Sequence, residues 1–167
     1  MRSYPIDSIG IKPEGGGFLK LSTRGQYALH AMVFLARKAD EGPQTLRTIA
    51  DDGLPEQYLE QLLGALRRHG LVVTVRGAQG GYSIARPPDQ ITVGNILEST
   101  EGPVNLSQCA GDEAICPKSS ACATRDVWRY LTDNINTLMQ GITLEDVLNN
   151  RPYGMKEIIQ HEPSLSR

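Results

Sequence analysis

The stretch that decides the fold is residues 45–86, TLRTIADDGLPEQYLEQLLGALRRHGLVVTVRGAQGGYSIAR. Thr45 predicts the cap of a short helix, Leu46 to Asp51, and Asp52-Gly53 predicts the turn that follows it. A second helix starts with Pro55 at its first helical position. Its apolar residues recur at three- and four-residue spacing, and they are Tyr58, Leu59, Leu62, Leu63 and Leu66. Two helices joined by a short glycine turn resemble a helix-turn-helix.

The chain after this helix pair predicts a β-hairpin. Leu71 to Val75 is short and β-branched, Tyr82 to Ala85 alternates, and a polar, glycine-rich tip lies between them. A helix-turn-helix followed by a hairpin predicts a winged helix. In that fold the second helix of the pair enters the major groove of DNA, and the hairpin reaches the neighbouring groove or the backbone.

Helical patterns also flank this stretch. Ser22 or Thr23 predicts the cap of a first helix that runs to Ala39, and Thr92 to Ser99 predicts a short fourth one. Thr124 starts a helix of roughly seventeen residues, and Thr143 to Leu148 predicts a last short one. The apolar stripe of the long helix comprises Val127, Trp128, Leu131, Ile135, Leu138 and Ile142. One winged helix cannot cover this stripe, which predicts a homodimer, with packing onto the chain's own helices as the alternative.

The expected fold is therefore mainly α with a small β-hairpin: a winged helix-turn-helix domain plus a long dimerisation helix. We expect a flexible leader (1–17), a winged helix-turn-helix DNA-binding domain (18–88), a cysteine loop with dimerisation helices (89–150) and a loose tail (151–167). The net charge is −2, yet residues 18–88 carry nine Lys/Arg against six Asp/Glu, which favours this part for DNA. The sequence shows neither an apolar membrane span nor a signal core, which predicts a cytoplasmic protein with no membrane partner.

The predicted DNA-reading surface combines base-reading side chains with cations. Its residues are Gln57, Glu60, Gln61, Arg67, Arg68, Arg76 and Gly77. Glutamine can pair with adenine, and glutamate can accept a hydrogen bond from the cytosine amino group. The arginines suit phosphates or a minor groove, and glycines beside Arg76 let the backbone approach a sugar-phosphate wall. A solvated helix face followed by a tight turn is the alternative interpretation.

Three cysteines, Cys109, Cys116 and Cys122, fall in the segment 101–123, which has no helical or strand periodicity. Six and five residues separate them, which is wider than in ordinary ferredoxins or zinc fingers. An odd number of cysteines in a reducing compartment argues against structural disulfides. The spacing alone leaves open an iron–sulfur cluster, a zinc site, a peroxide-sensitive set of thiols, or inert cysteines.

Several motifs together give the chain a family resemblance. They are LSTRGQYA (21–28), YLEQL (58–62), VRG with GGY (75–77 and 80–82), the cysteine loop, WR (128–129) and ITL (142–144). Over roughly residues 21–150 the chain resembles the IscR/NsrR-type iron–sulfur winged-helix transcriptional regulators. The resemblance implies a homodimer on palindromic double-stranded DNA, base contacts from positions 57, 60 and 61, and a wing contact from Arg76. Gln57 departs from the serine usual there.

The resemblance also implies that the three cysteines hold an iron–sulfur cluster, [2Fe–2S] rather than [4Fe–4S]. The family pattern places a histidine ligand three residues after the last cysteine, where this chain has Arg125. Arginine has no lone pair to give. The other candidates for a fourth ligand are Asp112, Glu113, Gln26 and His30. The resemblance implies that a first-helix residue reaches the cluster of the other subunit, and imidazole is a better donor than an amide, so we expect His30 of the partner subunit to complete the site.

These expectations define the function to be tested. The chain is predicted to be a cluster-dependent transcriptional regulator, repressor or activator, that senses cluster status, redox state or nitric oxide. The alternatives are a regulator of the same fold that senses through thiols or a partner protein without metal, and, more remotely, an iron–sulfur electron carrier. The sequence contains no phosphate or dinucleotide fingerprint and no arguable catalytic set, so we expect no enzymatic activity.

Overall fold

A computed structural model describes residues 22–77, 79–107 and 122–151. The helices of these segments are α1 (Thr23–Arg37), α2 (Leu46–Ala50), α3 (Glu56–Arg68), α4 (Val93–Glu101), α5 (Ala123–Gly141) and α6 (Leu144–Leu148). The strands are β1 (Val72–Val75) and β2 (Gly81–Ile84), and short 3-10 turns cover Ala39–Glu41 and Pro88–Gln90. The mainly helical winged-helix fold with one hairpin and one long helix is therefore confirmed. No helix within these segments is long and apolar enough to cross a bilayer.

Side-chain caps start several of these helices where the sequence predicted them. The Ser22 hydroxyl accepts from the Gly25 N–H (3.4 Å) and the Thr45 hydroxyl from the Thr48 N–H (3.1 Å). Thr92 forms a reciprocal capping box with Asn95. Each cap satisfies a backbone donor that the first turn of a helix leaves without a partner.

Several predicted helix boundaries were wrong by one to two residues, and α2, for example, ends at Ala50 rather than at Asp51. Pro55 is the residue before α3 rather than its first one, because its backbone is extended (ψ 119°). Helix α1 ends at Arg37 and not at Ala39, where a 3-10 turn begins. Helix α4 continues past Ser99 to Glu101, and Gly102 (φ 79°) follows it in a conformation that favours glycine.

The hairpin is antiparallel and pairs Val72 with Ile84 and Val75 with Gly81. The chain before α2 pairs with the free edge of β2, because Gln44 and Tyr82 exchange both backbone hydrogen bonds, at 2.9 and 2.8 Å. The wing is thus attached to the segment between α1 and α2 as well as to the end of α3.

The core lies under α1, which packs against α3, α4, α6 and β2. Its largest fully buried side chains are Met32, Leu35, Ile49, Leu59, Leu62, Leu63, Leu66, Leu71, Val72, Ile91, Ile96 and Leu144. Burying Leu or Ile side chains of this kind stabilises a fold by roughly 1.5–3 kcal/mol each. One side of α3 is packed into this core, which fixes the helix, and its opposite side faces solvent.

Candidate DNA interface and cysteine site

Helix α3 presents the predicted base-reading residues to solvent. Gln57, Glu60 and Gln61 are all exposed, whereas Leu59 and Leu62 are fully buried. Residues three and four apart share one face of a helix, so the three polar side chains project together. The structure therefore brings together the three side chains that the sequence analysis assigned to base reading.

Two cations follow on the same helix. Arg67 and Arg68 are exposed in its last turn, and a Cβ on Gly64 would lie 3.7 Å from an Nη of Arg68. In the described part of the chain, neither guanidinium forms an ion pair with a carboxylate. Positive charge at the end of a polar helix face suits contacts to phosphate.

Tyr58 lies between the core and this exposed face. It was predicted as part of the apolar side, but its side chain remains 44 % exposed. Its ring packs edge-on against Tyr27 of α1, with centroids 6.1 Å apart. This geometry is favourable for an aromatic pair, and it ties the N-terminal turn of α3 to α1.

The wing carries the other predicted DNA contacts. Arg76 follows β1 and is exposed, and Gly77 has a φ of 124°, which side-chain-bearing residues rarely adopt. The Gly80 N–H donates to the Gly77 carbonyl at 2.9 Å and closes the tip. Arg76 therefore stands at the base of a tight tip, next to backbone without a Cβ.

Cys122 is the one predicted cysteine ligand within the described residues; Cys109, Cys116, Asp112 and Glu113 lie outside them. It is half-buried and caps α5, and its Sγ lies 3.1 Å from the Thr124 hydroxyl. The hydrogen bond from this hydroxyl, then those from the backbone N–H groups of Arg125 and Thr124, hold the pKa of the Cys122 thiol below its ordinary value. The Arg125 charge acts in the same direction. A thiol in this setting is a good source of thiolate, the form that binds metals and reacts with oxidants.

His30, the predicted fourth ligand, contacts a residue that the sequence analysis did not single out. Its Nε2 lies 2.6 Å from Oδ2 of Asp52, in the turn between α2 and α3. Both side chains are partly exposed, His30 by 35 % and Asp52 by 45 %. The described residues contain no cluster of three or more His, Cys, Asp or Glu side chains suited to a metal. Within the described residues, His30 and Cys122 therefore belong to no such cluster.

Side chains of α5 hold the segment that leads toward the first cysteine. The Leu106 N–H donates to the buried Thr132 hydroxyl (3.3 Å), and the Asn136 amide donates to the Val104 carbonyl (3.1 Å). At the other end of α5, the Gln140 amide oxygen accepts from the Thr92 hydroxyl at 2.7 Å. One face of α5 is thus fixed against α4 and residues 103–106.

A second face of α5 is apolar and open. Its large side chains with substantial exposure are Val127 (56 %), Trp128 (42 %), Leu131 (39 %) and Leu138 (42 %). Trp128, Leu131, Ile135 and Leu138 follow a spacing of three and four residues, which is the pattern of a helix that packs against another helix. Ile142 was predicted as part of this stripe, but it lies just after the helix with an extended backbone. Within the described residues, the four large side chains named first keep 39 % or more of their surface exposed.

Comparison with known proteins identifies relatives of this arrangement. The profile of the Rrf2 family, described as "Iron-dependent Transcriptional regulator", matches residues 21–150. The HTH-type transcriptional regulator IscR of Pectobacterium carotovorum subsp. carotovorum (strain PC1) is 37 % identical over 134 residues, covering 80 % of this chain and 81 % of the relative. The HTH-type transcriptional regulator CymR of Bacillus subtilis (strain 168) is 41 % identical over 130 residues, covering 77 % and 89 %.

Solved structures give the same two names. "T. potens IscR" superimposes with a TM-score of 0.65 at 41 % identity, covering 80 % of this chain and 89 % of the other. The structure of CymR, "the Global Cysteine Regulator of B. subtilis", gives 0.68 at 38 % identity, covering 81 % and 100 %. The similarity therefore extends over the winged helix and the long helix together.

Proposed function

This chain belongs to the Rrf2 family of transcriptional regulators, and we propose from this that it binds palindromic DNA as a homodimer and responds through its cysteines. The observation that carries the proposal is the exposed row of Gln57, Glu60 and Gln61 on a helix whose other side is locked into the core. A regulator of this kind acts where the DNA is, so we expect it in the cytoplasm. No catalytic step forms part of the proposal.

Sequence reading is assigned to α3 and the wing. Gln57, Glu60 and Gln61 are proposed to contact base edges in the major groove, and Arg67 and Arg68 to contact phosphates. Arg76 and Gly77 are proposed to approach the neighbouring minor groove from the wing. The test is selection of a duplex from a random pool by the wild-type protein and by Arg76→Ala and Glu60→Ala. Unchanged selection by both variants would contradict the assignment.

The homodimer is assigned to the open apolar face of α5. A second copy of the same helix supplies a matching row of apolar side chains, as a two-fold axis requires. Because the two protomers are then related by two-fold symmetry, their α3 helices read two inverted half-sites, which is why we expect a palindrome.

The responding site is proposed to be an iron–sulfur cluster on Cys109, Cys116 and Cys122, with His30 of the partner subunit as the fourth ligand. The donor set suits such a cluster, since thiolates and imidazole both bind iron and the pKa of the Cys122 thiol is lowered. The expected type is [2Fe–2S] rather than [4Fe–4S]. If bound there, the cluster would be held by these four side chains and would make the site responsive to redox state, and the imidazole would be its most readily exchanged ligand.

Anaerobic purification tests this assignment. We expect a coloured protein with iron and acid-labile sulfide in equal amounts, and a colourless protein after anaerobic reconstitution would contradict the cluster. For the fourth ligand, His30→Ala and His30→Gln should both shift the visible spectrum and shorten the cluster lifetime. An unchanged spectrum in both variants would exclude His30.

A metal-free thiol regulator is the second candidate, and a specific observation favours it. The Cys122 thiol has a lowered pKa beside Arg125, and its Sγ lies 3.1 Å from the Thr124 hydroxyl. Low-pKa, accessible thiols are the ones that oxidants modify. If metal-free protein selects DNA and loses that selection on treatment with peroxide, with recovery by dithiothreitol, the thiol mechanism is favoured over the cluster. A response that needs an added protein would instead indicate a partner.

A further inference from the structure

One side-chain contact joins the first helix to the turn that precedes the DNA-reading helix. The Nε2 atom of His30 lies 2.6 Å from Oδ2 of Asp52, although the residues are 22 positions apart in the sequence. His30 is in the middle of α1, and Asp52 lies between α2 and α3. Neither side chain belongs to the predicted base-reading set.

The turn around Asp52 sets the position at which α3 begins. Gly53 has a φ of 93°, its N–H and that of Leu54 donate to the Ala50 carbonyl, and Leu54 is buried. Pro55, the N-cap of α3, has no side chain that can accept from the first N–H groups of the helix. The start of α3 is therefore placed by its surroundings, with the Asp52 contact among them, and not by a cap of its own.

We propose that Asp52 is a positioning residue that links the imidazole of His30 to the DNA-reading helix. The carboxylate holds the turn from which α3 starts, and the same carboxylate fixes the orientation of the ring. The proposal rests on the proposed function, namely that α3 reads DNA.

The two nitrogens of the His30 imidazole allow this contact to connect a metal ligand to α3. When Nε2 carries the proton and donates it to Asp52, Nδ1 keeps its lone pair and is the nitrogen that remains for a metal. Carboxylates commonly orient metal-binding histidines through the second ring nitrogen in this way. A change at Nδ1 would then reach the turn before α3 through a single side chain.

A double-mutant cycle on the full-length chain tests the link. Asp52→Ala, His30→Ala and the double variant are titrated by fluorescence anisotropy against a duplex selected by the wild-type protein and against a scrambled duplex. We expect Asp52→Ala to weaken binding of the selected duplex by roughly fivefold, the lower end of usual coupling effects, with the scrambled duplex unaffected. The double variant should bind the selected duplex as tightly as the single variant with the lower affinity, because both changes remove the same contact.

Asp51→Ala is the matched control for charge. Asp51 is exposed, directly precedes Asp52 and has no ion pair within the described segments. Asp52→Asn is the conservative variant, since its amide oxygen can still accept a hydrogen bond from the ring, and it should restore most of the selectivity. Thermal unfolding should be unchanged, as expected for a positioning role rather than a general structural one.

The outcomes separate the proposals. If the effects of Asp52→Ala and His30→Ala add, or if Asp51→Ala has the same effect, the link is wrong. If the wild-type protein selects DNA and Asp52→Ala selects it equally well, the link fails while DNA reading stands. If the wild-type protein selects no duplex, DNA reading by α3 itself fails.

Discussion

Gln44 and Tyr82 exchange backbone hydrogen bonds in both directions, so that β2 is paired on each of its edges at this point. The close approach depends on the residue before Tyr82. A Cβ on Gly81 would overlap the carbonyl group of Gln44, which belongs to the backbone and cannot rotate away. The wing therefore keeps its position on the helical domain because position 81 has no side chain.

Gly81→Ala is expected to lower the free energy of unfolding by about 1–3 kcal/mol, the usual range for overpacking. Gly64→Ala is the control, because a Cβ there meets an Arg68 side chain at an ordinary 3.7 Å. That change should stabilise the protein by about 0.5–1 kcal/mol, since alanine is favoured over glycine within a helix. Urea unfolding measures both changes, and equal stability of the two variants would contradict the close approach at Gly81.

Arg67→Ala and Glu60→Ala should affect DNA binding in different ways. Loss of a phosphate-binding cation weakens binding to every duplex and lowers the slope of log K against log salt by about one. Loss of a base-reading carboxylate leaves that slope unchanged and reduces discrimination at one base pair by about 1–3 kcal/mol. Anisotropy titrations over a salt series distinguish the two, with each variant serving as the control for the other.

Leu131→Glu is expected to convert the proposed homodimer into a monomer, because it introduces a charge into the apolar face of α5. Tyr130→Glu introduces the same charge at a neighbouring position that is 67 % exposed and lies on another face of the helix. Sedimentation velocity should show a monomer only for Leu131→Glu. A dimer in both variants would place the subunit interface elsewhere.

Thr124→Val should raise the pKa of the Cys122 thiol, because the Thr124 hydroxyl is the main hydrogen-bond donor that lowers it. In the metal-free wild-type protein the thiolate persists to lower pH than an ordinary thiol, so alkylation by iodoacetamide continues there. In the variant the midpoint of the alkylation rate moves to higher pH. Peptide-resolved mass spectrometry follows Cys122 alone, and Thr137→Val, an exposed threonine further along α5, should leave the midpoint in place.

Asp146→Asn tests the capping box of α6. The Thr143 hydroxyl and backbone N–H, with a smaller contribution from Arg151, hold the pKa of the Asp146 carboxyl below its ordinary value. A carboxylate with a depressed pKa stabilises the folded state above its unfolded pKa, and this contribution disappears as the pH falls through the folded pKa. The melting temperature of the variant should therefore be lower than wild type at neutral pH and equal to it in strong acid. Asp133→Asn, at an exposed carboxylate of α5, should show no such pH-dependent difference.

Features set by neighbours in sequence could be predicted, and those set by distant pairs could not. Ser22 and Thr45 cap their helices as expected, because a cap needs only the next three residues. Glu60 faces solvent because helical periodicity fixes its side of α3. By contrast, the contact between His30 and Asp52 joins residues on different elements, and no local pattern indicates it. Polar contacts across the fold, unlike apolar stripes, leave no periodic trace in the sequence.

The attachment of residues 103–106 to α5 has a consequence for how this protein can change over evolution. Leu106 is held at Thr132, and Cys122 begins the same helix ten residues earlier, about 15 Å away along its axis. Leu106 and Cys122, which flank the intervening segment, are therefore both fixed to the same helix. We therefore expect insertions or deletions between them to leave the packing of α5 on α4 unchanged, so that the spacing of the cysteines can vary among descendants without moving the proposed DNA-reading helix.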